Sequence, residues 1–153
     1  QVDICRTALE NNTLVCLPTG LGKTLIAAVL MYNFHRYYPT GKIVFMAPTK
    51  PLVFQQINAC KSIMCLPDDE FAHLEGSVSA TKRVLIWKNC RLFFCTPQVL
   101  ANDLSSGRID ESIARKFVLV VVDEAHRATD NYAYTNVVSI TAAMYCYITE
   151  LLI

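Results

Sequence analysis

The sequence predicts an α/β fold: a mostly parallel sheet with helices packed on both faces. Short apolar runs alternate with helical patterns along the 153-residue chain. Such alternation calls for right-handed crossovers between parallel strands. The run Thr13-Leu14-Val15-Cys16-Leu17 leads into a glycine-rich turn that opens a helix. About a hundred residues later, Val118-Leu119-Val120-Val121-Val122 ends in two carboxylates. A sheet of this kind places its ligands beyond the carboxyl ends of its strands, which is where both polar turns fall.

The elements follow in order. A helix is expected near Val2 to Glu10, then the first strand, then a helix from Lys23 to about Tyr38 that is apolar nearly all round and must be buried. Its aromatics Tyr32, Phe34, Tyr37 and Tyr38 stand at helical spacing and read as core and helix-packing residues. A strand at Ile43 to Ala47 enters Pro48-Thr49-Lys50-Pro51 and a helix through about Ser62, after which Pro67-Asp68-Asp69-Glu70 breaks the chain. Phe71 to Leu74 reads as a short strand, Ser79 to Trp87 as a helix, and Arg91 to Cys95 as a strand running into Thr96-Pro97. No internal repeat or low-complexity linker interrupts the series.

Composition sets the bounds. A chain of this length that is 53% hydrophobic is one domain, able to bury about 70% of its unfolded surface. The longest apolar stretches, Leu25 to Met31 and Phe117 to Val122, are too short for a bilayer span, so no membrane partner is expected. A net charge of +1 creates no global field toward an acidic polymer, so any nucleic-acid contact must come from local sites. The seven cysteines are odd in number and lack paired metal-ligand spacing. They read as small buried hydrophobes of a reduced, intracellular protein. The abrupt start at Gln1 reads as a cut from something longer.

The turns carry the chemistry. In Thr19-Gly20-Leu21-Gly22-Lys23-Thr24 the glycines let the backbone curl around phosphates, Lys23 supplies a cation to the β and γ phosphates, and Thr24 offers a hydroxyl to Mg²⁺. Leu17 stands where the usual phosphate-loop pattern has glycine or alanine. In Asp123-Glu124-Ala125-His126 the aspartate would hold the same ion and the glutamate would orient and deprotonate the attacking water. Together the two motifs point to nucleotide hydrolysis. Thr49 before Lys50-Pro51, and Thr96 before Pro97-Gln98, each place a hydroxyl at a helix N-cap and a proline in the first turn. Two such N-termini beyond one sheet edge could grip a nucleic-acid backbone, or could simply start helices well. Gly76-Ser77 with Lys82 and Arg83 is a weaker third contact.

Leu17-Pro18-Thr19-Gly20-Leu21-Gly22-Lys23-Thr24, Ala47-Pro48-Thr49-Lys50-Pro51-Leu52-Val53, Cys95-Thr96-Pro97-Gln98-Val99 and Val122-Asp123-Glu124-Ala125-His126-Arg127 resemble motifs I, Ia, Ib and II of superfamily 2 DEAH-type helicases, in family order. The wording around them, including Met31-Tyr32-Asn33-Phe34, Asn102-Asp103-Leu104 and Asn131-Tyr132-Ala133-Tyr134, is similar to the Fanconi anaemia group M translocase family with its archaeal helicase-nuclease relatives, over about residues 1 to 138. The resemblance implies a RecA-like P-loop NTPase domain, the first of two motor domains, that uses ATP and Mg²⁺. It implies movement on branched or forked DNA in nuclear DNA repair, in a complex with other proteins. Gln1 sits where the family keeps a glutamine that contacts adenine. Pro18, Thr19, Gly20, Leu21, Gly22, Lys23 and Thr24 would form the nucleotide loop, with Thr24 and Asp123 on the metal. His126 matches the histidine that couples the nucleotide site to the rest of the motor. Thr49, Lys50, Gly76, Thr96, Pro97 and Gln98 match positions that track a nucleic-acid strand, although Glu75 replaces the family's threonine before Gly76 and sets a carboxylate on the phosphate path.

The end of the chain departs from the family. The strand ending in Ser-Ala-Thr-Pro that follows motif II is missing, and Ile148-Thr149-Glu150-Leu151-Leu152-Ile153 resembles a stretch beyond it. An internal deletion is the expected cause, leaving the domain (residues 1–153) incomplete at its C-terminal end and the second motor domain absent. Tyr145 to Thr149 is β-prone enough to fill the gap in the sheet centre. Without the second domain's arginines the chain should bind ATP weakly and turn it over slowly. Other readings remain: an RNA helicase-type ATPase, a non-catalytic module that engages nucleic acid or partners, and a P-loop enzyme unrelated to nucleic acid.

Overall fold

The computed structural model describes residues 1–18 and 20–124, the helical positions Ala133, Thr135, Val137 and Ser139, and the backbone of Tyr147–Leu152. In chain order the elements are α1 (Val2–Glu10), β1 (Thr13–Cys16), α2 (Lys23–Tyr37), β2 (Lys42–Met46), α3 (Lys50–Met64), a 3₁₀ turn (Asp68–Glu70), β3 (Phe71–Leu74), α4 (Ala80–Asn89), β4 (Leu92–Cys95), α5 (Pro97–Ser105), α6 (Glu111–Ala114), β5 (Phe117–Val122) and β6 (Tyr147–Leu152). The six strands form one sheet in the order β1, β6, β5, β2, β4, β3, every neighbouring pair parallel.

Strand alternation sorts the core into two layers. Ile43, Phe45, Phe94, Leu119 and Val121 join the buried faces of α1, α2 and α3. Val44, Met46, Phe93, Val120 and Val122 join α4, α5, α6, Ala133 and Val137. Helices therefore cover both faces, as the sequence predicts. The central strands β2, β4 and β5 read as unbroken apolar runs because they are packed from two sides, whereas β1 leaves Leu14 and Cys16 exposed.

The central gap is filled. β6 lies between β1 and β5, pairing Cys16 with Leu152 and Val122 with Glu150. It begins two residues later than the expected 145–149 stretch. The short helix α6 was not anticipated; Asp110 caps it by accepting from the Ile113 N–H at 2.9 Å.

Three expectations are corrected. Helix α2 buries Ile26, Ala27, Ala28, Leu30, Met31 and Phe34, but Leu25 and Tyr37 stay exposed. Among the described cysteines only Cys60 and Cys95 are buried, while Cys16 and Cys65 are exposed. Thr49 and Thr96 hold the N-cap positions of α3 and α5, yet neither hydroxyl accepts a capping hydrogen bond; in α3, Pro51 at the second helical position removes one of the amides a cap would serve.

Candidate functional site

Because every strand is parallel, the turns after β1, β2, β3, β4 and β5 all emerge at one edge of the sheet. At the β1 turn, Gly20 (φ 80°) and Gly22 (φ 87°) occupy the left-handed region that favours glycine. A Cβ on Gly22 would also collide with the Gln1 carboxamide, whose Nε2 donates to the Leu21 carbonyl at 2.8 Å. Gln1 thus braces the loop from an exposed position. Lys23 opens α2, and its Nζ donates to the Leu17 carbonyl at 3.2 Å. Pro18 and Leu21 are exposed, and Thr19 lies outside the described residues.

At the β5 turn, Asp123 is 5% exposed. Its N–H donates to the Met46 carbonyl at 2.8 Å, and its Oδ1 accepts from the Glu124 N–H at 3.1 Å. Burial, then the neighbouring Glu124 charge, pushes its carboxyl above the usual carboxylate range, against the opposing pull of the Glu124 N–H and the Lys23 ammonium. Glu124 itself has φ 56°, a conformation uncommon outside glycine and typical of functional turns. His126 lies outside the described residues.

The two turns face each other across a cleft of about 400 Å³ lined by Gly20, Gly22, Lys23, Thr24, Asp123 and Glu124, with Leu52, Gln55 and Gln56 of α3 as its third wall. Gln56 is a residue the sequence reading missed. The Thr24 hydroxyl donates to its Oε1 at 3.0 Å, and its Nε2 donates to Asp123 Oδ2 at 3.3 Å. One carboxamide therefore spans the two oxygen groups expected to bind the metal. The signal was only a glutamine on the cleft side of a helix whose Val53, Ile57, Cys60 and Met64 face the core. A hard cation takes oxygen donors, and Thr24 and Asp123 provide them at one place. Among the described residues no cluster of three or more His, Cys, Asp or Glu side chains forms a protein-only metal cage. That sparse set suits Mg²⁺, which keeps waters and phosphate oxygens in its shell.

Along the same edge, Thr49, Lys50, Gly76 and Gln98 are exposed, Thr96 is half-buried and Pro97 is buried. Pro97 packs into the core and offers only its backbone. Lys50 Nζ lies 3.9 Å from Glu75 Oε2, an oxygen that also accepts from the Ser77 hydroxyl at 3.1 Å. Arg83 is not a surface contact. It is buried on α4, 3.2 Å from Asp103 Oδ1, with its NH1 on the Glu75 carbonyl at 3.4 Å.

A parallel sheet layered by helices, with a glycine-cradled lysine and an Asp-Glu turn around one cleft, defines a RecA-like nucleotide-binding domain. The chain belongs to the DEAD/DEAH box helicase family, whose model matches residues 1–149. It is 56% identical over 138 residues to the Fanconi anemia group M protein homolog of Mus musculus and 54% identical over 138 residues to the DEAD-box ATP-dependent DNA helicase Fancm of Drosophila melanogaster, in each case over 90% of this chain. The match spans 7% and 9% of those proteins, so the chain covers less than a tenth of their length. The Pyrococcus furiosus Hef helicase domain superposes with a TM-score of 0.89 at 36% identity, over 99% of this chain and 31% of that one.

Proposed function

We propose that this chain is the ATP-binding wall of an ATP-dependent DNA translocase acting on branched DNA in nuclear repair, in company with protein partners. The observation that carries the reading is the convergence of Lys23, Thr24, Asp123 and Glu124 on one cleft. Lys23 would leave the Leu17 carbonyl for the β and γ phosphates, a stronger acceptor. The loop from Pro18 to Gly22 would wrap them, with backbone N–H groups from Thr19 onward as donors. Thr24 and Asp123 would hold Mg²⁺, which would supply charge neutralisation at the phosphate oxygens. Glu124 would orient the attacking water and take its proton. Gln1, beside the loop, would meet the adenine, and His126 would relay the nucleotide state.

Thr49, Lys50, Gly76, Thr96, the Pro97 backbone and Gln98 share the sheet edge and would follow the sugar-phosphate backbone of one strand. Such contacts position a strand without reading its bases. The cleft carries no arginine among its described lining residues. An arginine finger is worth about 10³ to 10⁵ in rate, so the chain alone should bind ATP yet turn it over slowly.

Thermal unfolding with and without Mg-ATP tests this. A ligand at a hundred times its Kd adds about 2.7 kcal/mol, which for a domain of this size raises Tm by roughly 5–10 °C. Lys23→Ala should abolish the shift. No shift in the parent chain would refute the nucleotide reading, and turnover stimulated by RNA duplexes but not by DNA forks would transfer it to RNA.

A further inference from the structure

We propose that Gln56 is a positioning residue for the metal site: its carboxamide aims the lone pairs of Thr24 and Asp123 at the cation before the cation arrives. The inference rests on the nucleotide reading above. Its ground is the pair of hydrogen bonds that one side chain makes to both oxygen groups.

The hydrogen bonds fix the polarity. Asp123, as a carboxylate, accepts only, so the Gln56 NH₂ must face it and the Gln56 carbonyl must face Thr24. That carbonyl takes the single hydroxyl proton of Thr24 at 3.0 Å, leaving the hydroxyl lone pairs directed elsewhere. Asp123 accepts from the Glu124 N–H on Oδ1 and from Gln56 Nε2 on Oδ2, so the two oxygens are held from different elements. The carboxylate plane cannot rotate without losing both bonds. Without Gln56 the Thr24 hydroxyl is free to turn its proton toward the metal or back to a carbonyl one helical turn earlier. Partners that orient metal ligands in this way change metal affinity by about 10- to 100-fold when removed.

Gln56 belongs to α3, whose first turn carries Lys50 and whose Val53, Ile57, Cys60 and Met64 anchor it in the core. The carboxamide is therefore delivered by a rigid element rather than by either catalytic turn.

The test compares nucleotide affinity with excess Mg²⁺ and in EDTA, using a fluorescent ATP analogue on the full chain. Gln56→Met keeps the length and loses both hydrogen bonds; Gln56→Leu serves as a second variant if the first does not fold. The expected result is that the Mg²⁺ enhancement falls about tenfold while affinity in EDTA stays within twofold. A purely structural role would move both affinities together. An unchanged enhancement in a folded variant overturns the assignment of Gln56 alone. A parent chain with no Mg²⁺-dependent binding overturns the nucleotide reading and this inference with it.

Discussion

Asp103→Ala should be among the most destabilising single changes in this chain. Asp103 is fully buried on α5, where Oδ1 lies 3.2 Å from both Arg83 NH2 and Arg108 NH1, and Oδ2 accepts from Trp87 Nε1 at 2.9 Å. Arg83 is itself buried, and its Nε finds no acceptor among the described residues, so the aspartate is its principal compensation. Removing one member of a buried ion pair costs about 3–5 kcal/mol because the other charge is left uncompensated. Orphaning the Trp87 N–H adds about 1–3 kcal/mol, although costs within one network do not simply add. A loss of about 4 kcal/mol, with a urea m-value of about 2 kcal/mol/M, lowers the unfolding midpoint by about 2 M. Asp103→Asn keeps an acceptor for Trp87 and should fall between. Arg108→Ala should cost under about 1 kcal/mol, since Arg108 is partly solvated and Arg83 remains paired. Equal midpoints for Asp103→Ala and Arg108→Ala would refute the claim that the buried Arg83 charge sets the penalty. The same network ties α4 to α5 and so fixes the edge turn at Thr96, which gives these variants a second readout in nucleic-acid binding.

Asp123→Asn should stabilise the nucleotide-free protein. Burial and Glu124 raise the carboxyl's pKa in the folded state, so the native protein holds this proton more tightly than the unfolded chain and loses stability as pH rises through that window. The variant's advantage should be greatest above the raised folded-state range and vanish toward about pH 4, where the unfolded carboxyl also protonates; thermal melts across pH check this, and an advantage that grows on acidification would contradict it. Glu75→Thr should tighten single-strand DNA binding by roughly 2- to 5-fold at low salt by freeing Lys50, with the gain shrinking as salt rises; fluorescence anisotropy at two ionic strengths decides, and weaker binding would show that Glu75 orders Lys50 rather than diverts it.

The strands and most helices were legible because their signals are local. An apolar run bounded by proline or glycine gives β2, β3 and β4 nearly residue by residue, and Pro51 and Pro97 mark the starts of α3 and α5. The phosphate loop and the Asp-Glu turn were legible for the same reason, each being a contiguous motif at a strand end. Helix α6 escaped because four residues carry no period, and its one signal, Asp110 as N-cap, is a single side chain. Arg83 was misread because a basic residue two positions after the exposed Thr81 looks solvated until its partner, twenty residues away on another helix, is known.

What the sequence by itself determined is therefore most of the elements, their parallel class, and the two turns proposed to meet a triphosphate, since periodicity, turn chemistry and motif spacing are written along the chain. Tertiary structure alone decided which distant residues complete those turns. It set Gln56 between Thr24 and Asp123, gave Glu75 to Lys50 and drew Arg83 inward to Asp103. Those pairings depend on distances between elements that are remote along the backbone, and such distances exist only once both layers of helices have closed on the sheet.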